Sequence, residues 1–210
     1  MEEPGARWEK LYFNWMDELL TFNFNNEADR KYALFICHSF QLICRRLKVG
    51  NVCRRHSAAY GVFTVNKTEA GKKELLFETL EDPFYIVDSR EWQVIEPDMR
   101  QLSSLGAEIL AMEKERLHVT YERAVMAIRF SDEVIGVQFH PEADAIGMRH
   151  YLMLPAKKDQ VISTHGIGKY NEMLELLNHP DKIMKTQQVI VPAFLRNAID
   201  NSRKYVATEK

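Results

Sequence analysis

Three features of the chain predict an α/β protein carrying an inserted antiparallel ribbon. A continuous apolar run at Tyr32–Ile36 gives way to a helical pattern at His38–Leu47. Several strand-like runs then follow one another between residues 60 and 139. Beyond His140 the character changes to helices.

The elements follow in order. Trp8, Leu11, Tyr12, Trp15, Leu19 and Leu20 recur at helical spacing, so about 7–22 reads as an amphipathic helix with these residues on its apolar face. Asn23–Asp29 is polar and turn-like. Tyr32–Ile36 has the unbroken apolar character of a buried parallel strand. The helix His38–Leu47 should stop near Gly50, with Arg45, Arg46 and Lys48 where cations complement the helix dipole. Strands are predicted at Tyr60–Val65, Phe84–Val87, Glu108–Met112, Ala124–Phe130 and Val134–Phe139. Turn chemistry separates them, at Gly71, Asp82-Pro83, Gly106 and Ser131-Asp132. The closing helices fall at about 144–153, 169–178 and 188–203, with Pro155, Pro180 and Pro192 as starts or breaks.

Composition narrows the function classes. A chain of 210 residues can bury a sizeable core, and 46% apolar with 28% charged residues is the balance of a globular protein. A net charge of −2 leaves no electrostatic footprint for nucleic acid or an anionic membrane. No apolar run has the length of a membrane span, and residues 1–30 lack a signal-peptide layout. Three cysteines, Cys37, Cys44 and Cys53, are odd in number and clustered, which argues against a secreted disulfide framework and for a reducing cytoplasm. No CxxC or spaced His pair accompanies them, so no metal and no cofactor is expected.

Two segments carry chemistry: Phe35–Gln41 and Val137–Asp144. Cys37 stands where a strand turns into a helix, beside N–H groups that favour an anion, the form in which sulfur attacks. The N–H of His38 would point at an oxyanion formed there, while the His38 side chain points away. His140 and Glu142 are two apart around Pro141, which puts both on one face of an extended chain. Glu142 can then accept the Nδ1 proton and leave Nε2 to face a thiol. Each motif alone has a bland reading. A cysteine is most often a small buried apolar residue, and His-Pro-Glu can be a strand end leading to a helix capped by Asp144. Nucleophile, base and orienter in one chain outweigh those readings. Cys44 and Cys53 keep the bland one.

The chain resembles class I glutamine amidotransferases, the glutaminase modules of enzymes such as GMP synthetase. Their signature pairs a Gly-x-Cys-x-Gly-x-Gln elbow with a distal Gln-Phe-His-Pro-Glu. Here the matching residues are Ile36-Cys37-His38-Ser39-Phe40-Gln41 and Gln138-Phe139-His140-Pro141-Glu142, and the resemblance covers about 31–150. It implies a flavodoxin-like fold with a mostly parallel central sheet, an inserted antiparallel ribbon and extra C-terminal helices. It divides the chain into a catalytic unit, 1–154, and a helical extension packed on it, 155–210. It implies Cys37, His140 and Glu142 as a triad releasing ammonia from glutamine, with Gln41 shaping the glutamine pocket. The implied partners are glutamine or a γ-glutamyl substrate and an ammonia-accepting synthetase, while the helices from about 169 onward read as a packing surface or that of a homo-oligomer.

The pattern departs from the family in three places. Phe35 and Ser39 stand where the elbow has glycines, so Phe35 needs its own pocket. The family has more chain before its Cys, including a Gly-rich loop that gives a second oxyanion N–H. Met1-Glu2-Glu3-Pro4-Gly5 reads as a restart just after such a loop, with weakened turnover unless another chain fills the gap. Arg90 takes a position where relatives often place His. It would bind a substrate carboxylate or be a surface arginine, and exposure statistics favour the surface.

Among other features, Arg54-Arg55-His56 reads as a solvated turn, and Glu113-Lys114-Glu115-Arg116 and Glu122-Arg123 as rim charges. His165-Gly166-Ile167-Gly168-Lys169 lacks the spacing of a phosphate loop. Three functions stay open: a glutaminase, a γ-glutamyl amide or peptide hydrolase without a synthetase, and an inert homologue with a redox-responsive Cys37.

Overall fold

A computed structural model describes residues 5–27, 29–115 and 122–208. Met1–Pro4 of the expected restart and Arg116 of the rim charges lie outside these. The elements are α1 (Arg7–Asn25), β1 (Ala33–Ile36), α2 (His38–Leu47), β2 (Asn51–Lys67), α3 (Glu69–Lys73), β3 (Phe84–Ile95), α4 (Met99–Ser104), β4 (Glu108–Glu113), β5 (Val125–Arg129), β6 (Val134–Val137), α5 (Ala145–Met153), α6 (Pro155–Asn178) and α7 (Lys185–Thr208).

The strands form one six-stranded sheet in the order β1-β6-β5-β4-β2-β3. The α/β class holds, but the sheet is mixed: β1 and β6 run parallel, and the other four pairings are antiparallel. Parallel character is confined to the pair whose carboxyl ends lead to Cys37 and His140. β6 is buried along its whole length, as a strand covered on both faces must be.

The two faces carry separate cores. One joins Met16 of α1, Phe40 and Ile43 of α2 and Leu102 of α4 to Phe35, Val125 and Ile128 of the sheet. The other joins Met126, Ile135 and Val137 to Ile190 and Phe194 of α7. A third cluster packs Val161, Tyr170 and Met173 of α6 against Val62 and Val87. Each fully buried large apolar side chain contributes about 1.5–3 kcal/mol. The helices after residue 154 therefore share cores with the sheet.

Three expectations are corrected. β2 begins at Asn51 and β3 runs on to Ile95, so the ribbon is longer than its apolar runs suggest. Arg54 and Arg55 consequently lie in a strand rather than a turn. On α1, Trp8, Leu11 and Trp15 are exposed, and the helix buries Glu9, Met16 and Asn23, with Tyr12, Phe13, Leu19 and Leu20 partly covered. That helix meets the rest of the protein along one narrow side, and the sequence stripe is wider than that contact.

Candidate active site

Cys37 follows β1 directly and is the residue before α2. Its backbone has φ 51° and ψ −101°, a sparsely populated conformation for a residue with a Cβ that costs about 1–3 kcal/mol. The surroundings hold it there. The Cys37 N–H donates to the Val137 carbonyl at 2.8 Å, and the Gln41 N–H donates to the Cys37 carbonyl at 3.1 Å. Ser39 replaces a glycine by bridging the turn: its hydroxyl accepts from the Ile36 N–H (2.7 Å) and donates to the Ile36 carbonyl (2.8 Å). Phe35 is buried among the α1- and α2-facing side chains, with its ring 6.2 Å from that of Trp15. The elbow thus forms without its glycines.

His140 lies three residues past the end of β6, the strand beside β1. Its N–H donates to the Val87 carbonyl of β3 at 3.0 Å, which fixes the backbone at that point. Its Nδ1 is 2.7 Å from Glu142 Oε1, and its ring also hydrogen-bonds Cys37. With Nδ1 engaged by the carboxylate, Nε2 is the atom left for sulfur. The hydrogen bond to Cys37 first, and that to Glu142 second, push the His140 pKa up to about 10 against the opposing effect of burial. Burial pushes the Glu142 carboxyl up, but the hydrogen bond and charge of His140 outweigh it and hold it below its ordinary value. Asp144 also caps α5, accepting from the N–H groups of Ile146 and Gly147. The segment thus holds a helix cap and a hydrogen-bonded imidazole–carboxylate pair together.

The other expected residues have distinct places. The His38 N–H is the first of α2, while its ring packs edge-on against Trp8 at 5.6 Å, turned toward α1. Gln41 is buried, and its side-chain amide donates to the Trp92 carbonyl (3.1 Å) and to Gln138 Oε1 (3.0 Å). Gln138 in turn directs its Nε2 at Cys37 Sγ, 3.8 Å away. Gln41 therefore braces the residue that touches the sulfur. Gln138 belongs to the quoted motif, yet sequence reasoning gave it no role.

Arg90 is not a surface residue: its side chain is 1% exposed. Its Nε lies 2.8 Å from Asp88 Oδ2 and its Nη2 3.7 Å from Glu113 Oε1. Arg55 closes the network, with Nη2 3.0 Å from the same Glu113 oxygen. Burial pushes the Asp88 carboxyl up, and it prevails over the pull of Arg90. The strand continues past Val87, and its inward-facing positions include Asp88 and Arg90. Cys44 is fully buried in α2, and burial pushes its thiol well up. Among the described residues no cluster suited to a metal ion occurs, and no helix is long and apolar enough to cross a membrane.

A cavity of about 570 Å³ opens over Cys37. The elbow lines it with Cys37, His38 and Gln41, the ribbon with residues that include Tyr60 and Arg90, and α6 with Thr164 and His165.

A thiol at a strand–helix elbow, with an imidazole–carboxylate pair arriving from the neighbouring parallel strand, defines a candidate cysteine hydrolase site on an α/β sheet. The chain belongs to the class-I glutamine amidotransferase family, whose model matches residues 25–153. Among solved structures, it is similar to a glutamine amidotransferase from Thermotoga maritima, at 18% identity and a TM-score of 0.65 over 94% of this chain and 72% of that one. It is also similar to a glutamine amidotransferase from Methylobacillus flagellatus, at 16% identity and a TM-score of 0.50 over 91% of this chain and 70% of that one. At these identities the likeness is one of fold. No curated protein matches the chain.

Proposed function

We propose that the protein hydrolyses the side-chain amide of glutamine through a thioester on Cys37. The observation that carries this reading is the His140 ring, hydrogen-bonded on one side to Cys37 and on the other to Glu142. Cys37 sulfur attacks the γ-carbonyl carbon, and the resulting oxyanion takes a hydrogen bond from the His38 N–H. His140 gives its proton to the amide nitrogen as the C–N bond breaks, and ammonia leaves. His140 then takes a proton from water as the water oxygen attacks the thioester, and glutamate leaves with the sulfur returned to its starting state. Glu142 holds the ring in one tautomer throughout. Gln138, braced by Gln41, keeps the sulfur in register. The ammonia passes to an acceptor enzyme supplied by another chain, and the free Cys37 suits the reducing cytoplasm.

The test is ammonia release from glutamine by the wild type and by Cys37→Ser, with hydroxylamine added to capture the acyl group as γ-glutamyl hydroxamate. Turnover and hydroxamate should both depend on Cys37, with a loss of about a thousandfold or more in the variant. Equal turnover in the two proteins, or no hydroxamate from the wild type, would overturn the reading.

A further inference from the structure

The segment His165–Lys169 has no part in the triad, yet the fold brings its first residue to the same cavity. Helix α6 breaks at Gly166, whose φ of 84° and ψ of 158° belong to a region that is essentially reserved for glycine. Nothing lies within 4 Å of the place a Cβ would take, so the dihedrals and not crowding require glycine there. On one side of the break Val161 is buried, and on the other Tyr170 and Met173, all in the cluster that holds Val62 and Val87. Lys169 crosses β2 at Gly61, where a Cβ would stand 3.1 Å from the Lys169 Cε. The helix is therefore fastened to the ribbon on both sides of its break.

The break sets His165 flat on Tyr60, with ring centroids 4.9 Å apart and planes 9° from parallel. Stacking fixes the plane of the imidazole and leaves its ring nitrogens at the edge, free to hydrogen-bond outward. Lys157 Nζ lies 5.8 Å from the Tyr60 ring and 5.3 Å from that of Tyr151, which places a positive charge near the stack without lining the cavity. A glutamine whose γ-carbonyl meets Cys37 presents an α-carboxylate at its far end. Arg90 lines the cavity, but its Nε and Nη2 are engaged by Asp88 and Glu113, and its Nη1, which has no hydrogen-bond partner among the described residues, is buried away from solvent. The cavity volume of about 570 Å³ falls within the range of about 300–1,000 Å³ expected of a small-molecule site, with room for a ligand that reaches from the elbow to α6.

We propose that His165, held by Tyr60 and backed by the charge of Lys157, binds the α-carboxylate of the substrate and so determines specificity from the helical segment beyond the sheet. This rests on the thiol chemistry proposed above. The assignment makes α6 part of the substrate site, with His165 as a positioning contact that takes no part in bond breaking.

The experiment compares glutamine with 4-aminobutanamide, which is glutamine without its α-carboxylate, in the wild type, His165→Ala and His165→Phe. Phenylalanine keeps a ring to stack on Tyr60 but has no nitrogen to donate. Both variants should lose about tenfold to a hundredfold in kcat/KM on glutamine, mainly through KM, the scale of one hydrogen bond to a charged group. Neither should lose activity on 4-aminobutanamide. Equal losses on both substrates would make His165 merely structural and overturn the proposal, as would no loss on glutamine or full rescue by phenylalanine. Absence of Cys37-dependent turnover in the wild type would instead sink the thiol reading and the proposal with it, so the two failures are told apart.

Discussion

The two sides of the Cys37 cavity are built by different rules. On the elbow side, backbone geometry does the placing: the parallel β1–β6 pair ends, and Cys37 and His140 emerge side by side. On the ribbon side, side chains do the placing, through the Arg90–Asp88–Glu113–Arg55 network and the Tyr60–His165 stack. A group positioned by backbone hydrogen bonds tolerates changes among its neighbours. A group positioned by buried charge or by stacking depends on a few individual partners. On the proposed function, the reacting atoms sit on the first kind of support, and the walls that would meet the rest of the substrate sit on the second.

The largest expected effect breaks the ribbon side. In Arg90→Met, Asp88 stays buried without its ion-pair partner, and Glu113 loses one of its cationic neighbours. Removing one member of a buried pair costs about 3–5 kcal/mol of stability. Thermal or urea unfolding should therefore show a large loss, while the double variant Asp88→Leu with Arg90→Met should recover much of it. If Arg90 served as a substrate ligand alone, stability would hold and only KM would rise. The comparison of the two variants decides between those roles.

The same contrast explains what the sequence reveals. Cys37, His140 and Glu142 are legible because the strand–helix junction and the two-residue spacing are local patterns. The class of fold is legible for the same reason: β1 and β6 are short unbroken apolar runs, and α2 follows the first of them at once. Arg55 and Arg90 are misleading because charged residues hide the alternation of a strand whose partners lie far along the chain. The ribbon therefore looks shorter than it is, and its arginines look exposed. Trp8 and Trp15 mislead in the opposite direction, since an apolar stripe does not say how much of each ring is covered. His165 carries no signal at all. The role proposed for it depends on a contact with Tyr60, a distant residue in the sequence, and on a backbone break that only Gly166 announces.

A smaller effect sharpens the elbow side. Glu142 is one of two hydrogen-bond partners that raise His140 to about 10. Protonated His140 is the form that can give a proton to leaving ammonia, so activity should fall on the alkaline side as that proton is lost near pH 10. In Glu142→Gln one raising partner is weakened, so the proton is lost earlier. The alkaline limb of kcat/KM should move to lower pH, with activity at pH 9 that the wild type keeps and the variant loses. Stability should change little, because the Glu142 side chain is about half exposed. A limb that stays in place would mean that another group sets it.

The smallest effect returns to the wall. Gly166→Ala places a Cβ where no atom crowds it, so any loss comes from the dihedrals alone. The strain, about 1–3 kcal/mol, can be relieved if the helix re-forms through the break and turns His165 off Tyr60. Backbone support at the elbow should be untouched by that movement. Alkylation of Cys37 by iodoacetamide, which needs the sulfur and not the far wall, should proceed at the wild-type rate. KM for glutamine should rise by up to about tenfold, no more than the loss of His165 itself. An altered alkylation rate would show that the two sides of the cavity are coupled, and that the separation of backbone-built chemistry from side-chain-built specificity does not hold.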